Sequence, residues 1–198
     1  MLGTLALLAL LQVPEPTQEL WPGSSYDSRI PTLEGVVGHD FREEITAPAD
    51  IVRYMEALAE AAPERTRLIR YAESWEGRPL VALVIGSAER MSRLDDVLAG
   101  LARLSAAGLP QAEADGLIAD LPVVTALMHG IHGNEISSSG AAMAEAYHLL
   151  AAQGDPTADV ILAESLVLID PMENPDGRAR FLQQNLMARA RWPDPTPY

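Results

Sequence analysis

The sequence contains no cysteine. It can therefore hold no disulfide framework and no thiolate metal site, and any metal must be ligated by His, Asp or Glu. Lysine is also missing: the 14 basic residues are all arginine, against 28 Asp and Glu, for a formal charge of −14. The arginine-only usage is read as a coding bias and carries no function. The acidic excess argues against a phosphate-binding surface, because affinity for nucleic acid comes largely from Lys and Arg neutralising phosphates. Nucleic acid is not an expected partner. The apolar run over residues 1–11 is too short for a membrane-spanning helix of about 20 residues, so no stable membrane span is expected. Its length suits a signal peptide, assigned to residues 1–18, and predicts a secreted or periplasmic location. No basic residue precedes that run and no clean small-x-small site follows it; the alternative is an apolar N-terminus that simply packs. Internal repeats and low-complexity segments are absent.

What is present suits one ordinary domain: 198 residues, 48% of them hydrophobic, enough for a sizeable core. Residues 14–47 are rich in Pro, Gly, Ser and acids without a period of 2 or 3.6, and residues 19–47 read as an extended lead-in arm. From residue 48 on the pattern is that of a folded globular domain. Ile51, Tyr54, Met55, Leu58 and Ala62 recur at helical spacing, with Pro63 closing the helix. Strand-like runs at 66–71 and 79–85 flank the turn signal Glu76-Gly77, which predicts a hairpin. Helices are expected over 91–104 and 111–118. The β-branched run at 123–128 predicts a buried strand. A loop over 129–135 then leads to a long helix over 136–153, closed by Gly154, and a short helix over 158–163. A second apolar run at 166–169 predicts another buried strand. This alternation predicts an α/β three-layer sandwich with a mostly parallel, mixed central sheet.

In such sheets functional groups gather beyond the carboxyl ends of strands, and His129-Gly130-Ile131-His132-Gly133-Asn134-Glu135 occupies such a place. His132 and Glu135, three apart on a turn entering a helix, can aim an imidazole nitrogen and a carboxylate at one point about 2 Å away, as Zn²⁺ requires. The spacing alone is weak, since His-x-x-Glu is common by chance. Gly130 and Gly133 strengthen it by allowing a tight turn with open space above.

The segment Gly130-Ile131-His132-Gly133-Asn134-Glu135-Ile136-Ser137 resembles the first zinc-binding motif of the zinc metallocarboxypeptidase family, carboxypeptidase A-like. Two further pieces agree in order and separation. Glu173-Asn174-Pro175-Asp176-Gly177 resembles that family's Asn-Pro-Asp-Gly segment, and Ser74-Trp75-Glu76-Gly77-Arg78-Pro79 its Glu-Gly-Arg-Pro hairpin. The resemblance covers about residues 48–191 and implies an incomplete copy of the family's fold, with Zn²⁺ as cofactor and peptide or protein as substrate. It implies zinc ligation by His132 and Glu135, with a third His ligand, a proton-shuttling Glu and a carboxylate-gripping Asn-Arg pair farther along the family's chain. On spacing, Arg189 matches the family's oxyanion-stabilising arginine. The family prefers Trp immediately before that Arg, whereas here Trp192 follows Arg191. The bland alternative makes Arg178, Arg180, Arg189 and Arg191 a solvated helix face. His148 reads as packed or surface, and His129 as supporting the loop or the ligands from behind. His39 has no partner in sequence. Two other functions compete: a deacylase of the aspartoacylase and succinylglutamate desuccinylase branch, which shares His-Gly-Asn-Glu, and a non-catalytic binding protein. Oligomeric state and side-chain specificity are not legible.

Overall fold

Pro48 opens a helix because its fixed φ suits the first turn and its missing N–H would have no partner there. The structure, a computed structural model, describes residues 21–41 and 43–188. In chain order the elements are β1 (Ser25–Tyr26), α1 (Leu33–Val37), α2 (Pro48–Ala61), β2 (Thr66–Glu73), β3 (Pro79–Ile85), α3 (Ala88–Ser92), α4 (Leu94–Leu104) and α5 (Gln111–Asp120). There follow β4 (Val123–Met128), α6 (Ile136–Ala151), β5 (Ala152–Gln153), α7 (Pro156–Glu164), β6 (Ser165–Asp170) and α8 (Pro175–Ala188). The signal-peptide assignment for residues 1–18 lies outside the described residues.

The main sheet has the order β2-β3-β6-β4. It is mixed: β2–β3 and β3–β6 are antiparallel, and β4–β6 is the parallel ladder among the described strands. Every residue of β3 from Val81 to Ile85 is buried because both faces of the strand are covered. Leu83 and Ile85 pack with Val167 and Ile169 against Ile51, Tyr54, Met55 and Leu58 of α2 and Met143, Ala146 and Leu150 of α6. On the opposite face, Val84 and Leu166 pack with Leu94 and Val97 of α4. Helix, sheet and helix form the three expected layers. The helical stripe of α2 is the buried one predicted, and the Tyr54 hydroxyl is satisfied by donating to Pro31 O at 3.2 Å.

Two expectations change. The strand over 123–128 forms, but it is the open edge of the sheet: Val123 is 68% exposed, Val124 39% and Met128 48%. A short β-branched run looks the same whether its strand is central or at an edge, so periodicity cannot place it. The lead-in arm is also more than extended chain. Thr32 caps α1 by accepting from Gly35 N at 3.1 Å, and α1 delivers Leu33 fully buried into the main core.

Candidate metal centre

β4 and β6 run parallel in adjacent positions, so the loops leaving their carboxyl ends emerge side by side. Backbone hydrogen bonds continue the pairing beyond the strands. His129 N donates to Asp170 O at 3.0 Å, Glu173 N to His129 O at 2.9 Å, and Asn174 N to Gly130 O at 3.0 Å. The Asn174 side chain then works in both directions: Nδ2 donates to Ile131 O at 3.1 Å, and Oδ1 accepts from Gly177 N at 2.8 Å. The Asn-Pro-Asp-Gly loop is thus the rear wall of the 129–135 loop. The two loops touch so closely that a Cβ on Gly133 would lie 2.0 Å from the Gly177 carbonyl carbon. Gly130 adopts a φ of 68°, a conformation that favours glycine.

Within this frame Glu135 N donates to His132 O at 3.0 Å, closing a tight turn over His132-Gly133-Asn134-Glu135 that starts α6. The turn folds residues i and i+3 onto one side. His132 Nδ1 and Glu135 Oε1 stand 3.1 Å apart, with the side chains 71% and 57% exposed. The sequence-predicted pair is brought together at the mouth of the loop.

The family model for zinc carboxypeptidases matches residues 51–196. The chain belongs to the zinc carboxypeptidase family. Among solved structures, the chain resembles thrombin activatable fibrinolysis inhibitor, with a TM-score of 0.50 at 17% identity, covering 73% of this chain and 29% of that one. It also matches carboxypeptidase A from Helicoverpa armigera, with a TM-score of 0.48, 20% identity, and coverage of 69% and 26%. A third match is bovine thrombin-activatable fibrinolysis inhibitor in complex with tick carboxypeptidase inhibitor, with a TM-score of 0.46, 15% identity, and coverage of 73% and 36%. The first of these likenesses shows the fold. The chain spans roughly a quarter to a third of the length of the structures it matches. Among curated proteins, none matches the sequence significantly.

The donor set fits zinc as far as it goes. Two donors bound at about 2.0–2.2 Å to one ion stand roughly 3–3.5 Å apart, and the His132–Glu135 pair meets that spacing with one nitrogen and one oxygen. Among the described residues no cluster of three or more His, Asp or Glu is placed to complete a metal site. Arg189 lies outside the described residues.

The other histidines stand apart from this pair. His129 Nε2 lies 3.3 Å from Glu145 Oε2, and Nδ1 lies 3.5 Å from Ser138 Oγ, which itself accepts from Gly130 N. His129 therefore faces the helix behind the loop, as expected of a supporting residue. His148 is buried, with Nδ1 at 3.1 Å from the Tyr26 hydroxyl, Nε2 at 2.9 Å from Asp155, and Trp21 stacked on its ring. It ties the lead-in segment to α6 and α7. His39 lies at the surface beside Asp40 O.

Arg178 departs from the solvated-face expectation: it is 3% exposed. Arg180 does lie at the surface, paired with Glu76. The two are about 200° apart around a helix, so they could not share a face, a signal present in the numbering.

The third motif joins the first two through Asp176. Its carboxylate accepts from Ser74 Oγ at 2.7 Å, Arg78 Nη1 at 2.6 Å and Glu76 N at 3.1 Å, fastening the tip of the β2–β3 hairpin to the start of α8. The hairpin motif, the Asn-Pro-Asp-Gly loop and the metal loop are one mechanical unit. Desolvation pushes the Asp176 carboxyl upward, but the hydrogen bonds from Ser74, Arg78 and Glu76 outweigh it and hold the group below the ordinary aspartate value. A carboxyl depressed in the folded state contributes stability that is present above its unfolded pKa, about 3.9, and lost as pH falls through the folded value. Asp176→Asn is therefore expected to lower the urea midpoint at pH 7. The gap from the parent should narrow below about pH 4. Equal midpoints at pH 7 would show that the clamp contributes nothing.

Proposed function

We propose that this chain is the first part of the catalytic domain, residues 48–198, of a zinc-dependent metallocarboxypeptidase that hydrolyses peptide bonds at or near the C-terminus. The observation that carries this reading is the convergence of His132 Nδ1 and Glu135 Oε1 at 3.1 Å, in a loop buttressed by the two other family motifs. His132 and Glu135 are the ligands this chain contributes. When bound, zinc polarises the scissile carbonyl and lowers the pKa of a water so that it can attack near neutral pH.

The chain's own residues prepare that arrangement. His132 presents Nδ1, the ring nitrogen that faces Glu135, to the ion. Glu135 supplies a carboxylate oxygen and begins α6, while Asn174 and Gly133 fix the turn that holds both at the solvent face. Arg189 is assigned to the developing oxyanion, a role that rests on the family resemblance and its spacing from Asn174. The third ligand, the proton-shuttling carboxylate and the carboxylate grip are assigned to chain beyond residue 198. The open edge of β4 is consistent with this: among the described strands its outer side is unpaired and most of its residues are exposed, a surface that a further strand and packing layer would cover. The hairpin and Asn-Pro-Asp-Gly motifs, fastened together through Asp176, favour the peptidase over a small-molecule deacylase. Secretion, led by residues 1–18, fits a peptidase acting outside the cell.

The test is to express the protein from a transcript extended past residue 198 and assay it on peptides with free and amidated C-termini, beside N-acetylaspartate. Chelator-sensitive cleavage of the free-ended peptide alone is expected. Cleavage of N-acetylaspartate alone, or no zinc uptake, would overturn the assignment.

A further inference from the structure

Arg178 raises a question the metal site does not answer. Its guanidinium is buried, yet no carboxylate among the described residues pairs with it. Nε donates to Thr46 O at 2.9 Å and Nη1 to Ile136 O at 3.2 Å. Backbone carbonyls satisfy donors but do not neutralise a charge, and buried charges are normally paired. Burial without a counter-ion draws the Arg178 pKa down to about 10, which still leaves it protonated at neutral pH.

Beside this guanidinium lies a cavity of about 430 Å³ between the lead-in segment and the first half of α6. Its wall is mostly apolar, from Leu33, Phe41, Ile45 and Met143, with Arg178 the cationic group lining it among the described residues. Among the described residues Nη2 of Arg178 has no hydrogen-bond partner, it is not fully sealed from solvent, and Arg178 lines this cavity. The same cavity reaches Ile136 and Ser137 in the first turn of α6, a 16-residue helix with no side-chain cap, whose positive end adds to the field. Glu43 and Glu44 also line the cavity. Their charges repel any anion and a multiply charged one most, so a monoanion, which meets the guanidinium and the helix end together, is the anion the site tolerates best.

We propose that this cavity binds an apolar monocarboxylate, a free aliphatic acid, with its carboxylate on Arg178 and its hydrocarbon body against Leu33, Phe41, Ile45 and Met143. The volume lies within the range of small-ligand sites. A planar guanidinium matches the two oxygens of a carboxylate, and the apolar wall suits the hydrocarbon body of an organic acid. The wall offers little to the amides of a peptide, which favours the free acid over a peptide C-terminus. This site needs no metal and stands whether or not the peptidase assignment does.

Titration calorimetry on the 198-residue chain tests it, with octanoate, octan-1-ol, N-acetyl-glycyl-leucine and inorganic phosphate as probes. Octanoate is expected to bind at least about tenfold more tightly than octan-1-ol or the dipeptide, with no heat from phosphate. Arg178→Met should weaken octanoate at least about tenfold, a loss of 1.4 kcal/mol or more. Gly140→Leu is the variant that leaves Arg178 alone. A side chain at Gly140 points into open space on the cavity wall, so leucine fills the cavity and should abolish octanoate binding even if Arg178→Met fails to fold. Equal binding of octanoate and octan-1-ol, tighter binding of the dipeptide or phosphate, or octanoate binding that survives Gly140→Leu would overturn the proposal.

Discussion

Replacing Gly133 with alanine is expected to cost about 3 kcal/mol or more of stability, at the upper end of what an added methyl group does. The new Cβ would sit 2.0 Å from Gly177 C, 2.3 Å from Arg178 N and 2.5 Å from Gly177 O. All three are backbone atoms at the start of α8, so no side chain can swing aside. Either α8 moves off its contacts, breaking the Asp176 clamp and the Arg178 hydrogen bonds, or the turn holding His132 and Glu135 is pushed outward. Gly140→Ala is the matched control. It lies in α6, its Cβ meets nothing within 4 Å, and alanine there should be neutral or stabilising by up to ~1 kcal/mol. Urea unfolding of the two variants reads the difference directly. A Gly133→Ala midpoint equal to that of the parent would mean the two loops are not in contact as described.

Removing either proposed ligand should produce the opposite signature, a large loss of metal affinity with little loss of fold. His132→Ala or Glu135→Ala is expected to weaken zinc binding by on the order of 100-fold or more, because even groups that only support a ligand account for about 10–100-fold. Both side chains are mostly solvated, so the unfolding free energy should stay within about 0.5 kcal/mol of the parent. Asn174→Ala falls between the two: it touches Ile131 O and Gly177 N rather than the ligands, so it should weaken zinc about tenfold and also lower stability. Parallel zinc titration and urea unfolding of the three variants separate ligand from support. A His132→Ala protein that bound zinc as the parent does would remove His132 from the site.

The features that could be read from sequence are those set by local spacing. The stripe Ile51, Tyr54, Met55, Leu58 is buried because a helix repeats every 3.6 residues, and the turn at Glu76-Gly77 forms because Gly77 adopts a φ of 77°. The convergence of His132 and Glu135 is likewise a property of one turn. Features that depend on distant partners were hidden. Val123 and Val124 carry no mark saying whether a strand will lie beyond them. Asp176 reaches Ser74 across 102 residues, and Tyr26 reaches His148 across 122. Tyr71 illustrates the same limit. Register shifts between Arg70 and Ala72, leaving Tyr71 as an extra residue, and its hydroxyl donates to buried Asp170 at the end of β6. Bulges commonly re-aim a side chain near a functional site, but nothing in an alternating strand pattern announces one. Arg178 could have been separated from Arg180 by helical arithmetic, though its burial follows only from Thr46 and Ile136 closing over it.

The most direct measurement is zinc titration of the ¹⁵N-labelled chain, observed through the imidazole nitrogens of its four histidines. The proposed ligation predicts that the Nδ1 signal of His132 shifts on zinc addition, that those of His39, His129 and His148 do not, and that Glu135→Gln greatly weakens the response. A titration in which the His132 ring is unmoved while another histidine responds, or in which Glu135→Gln changes nothing, would contradict a shared ion at His132 and Glu135.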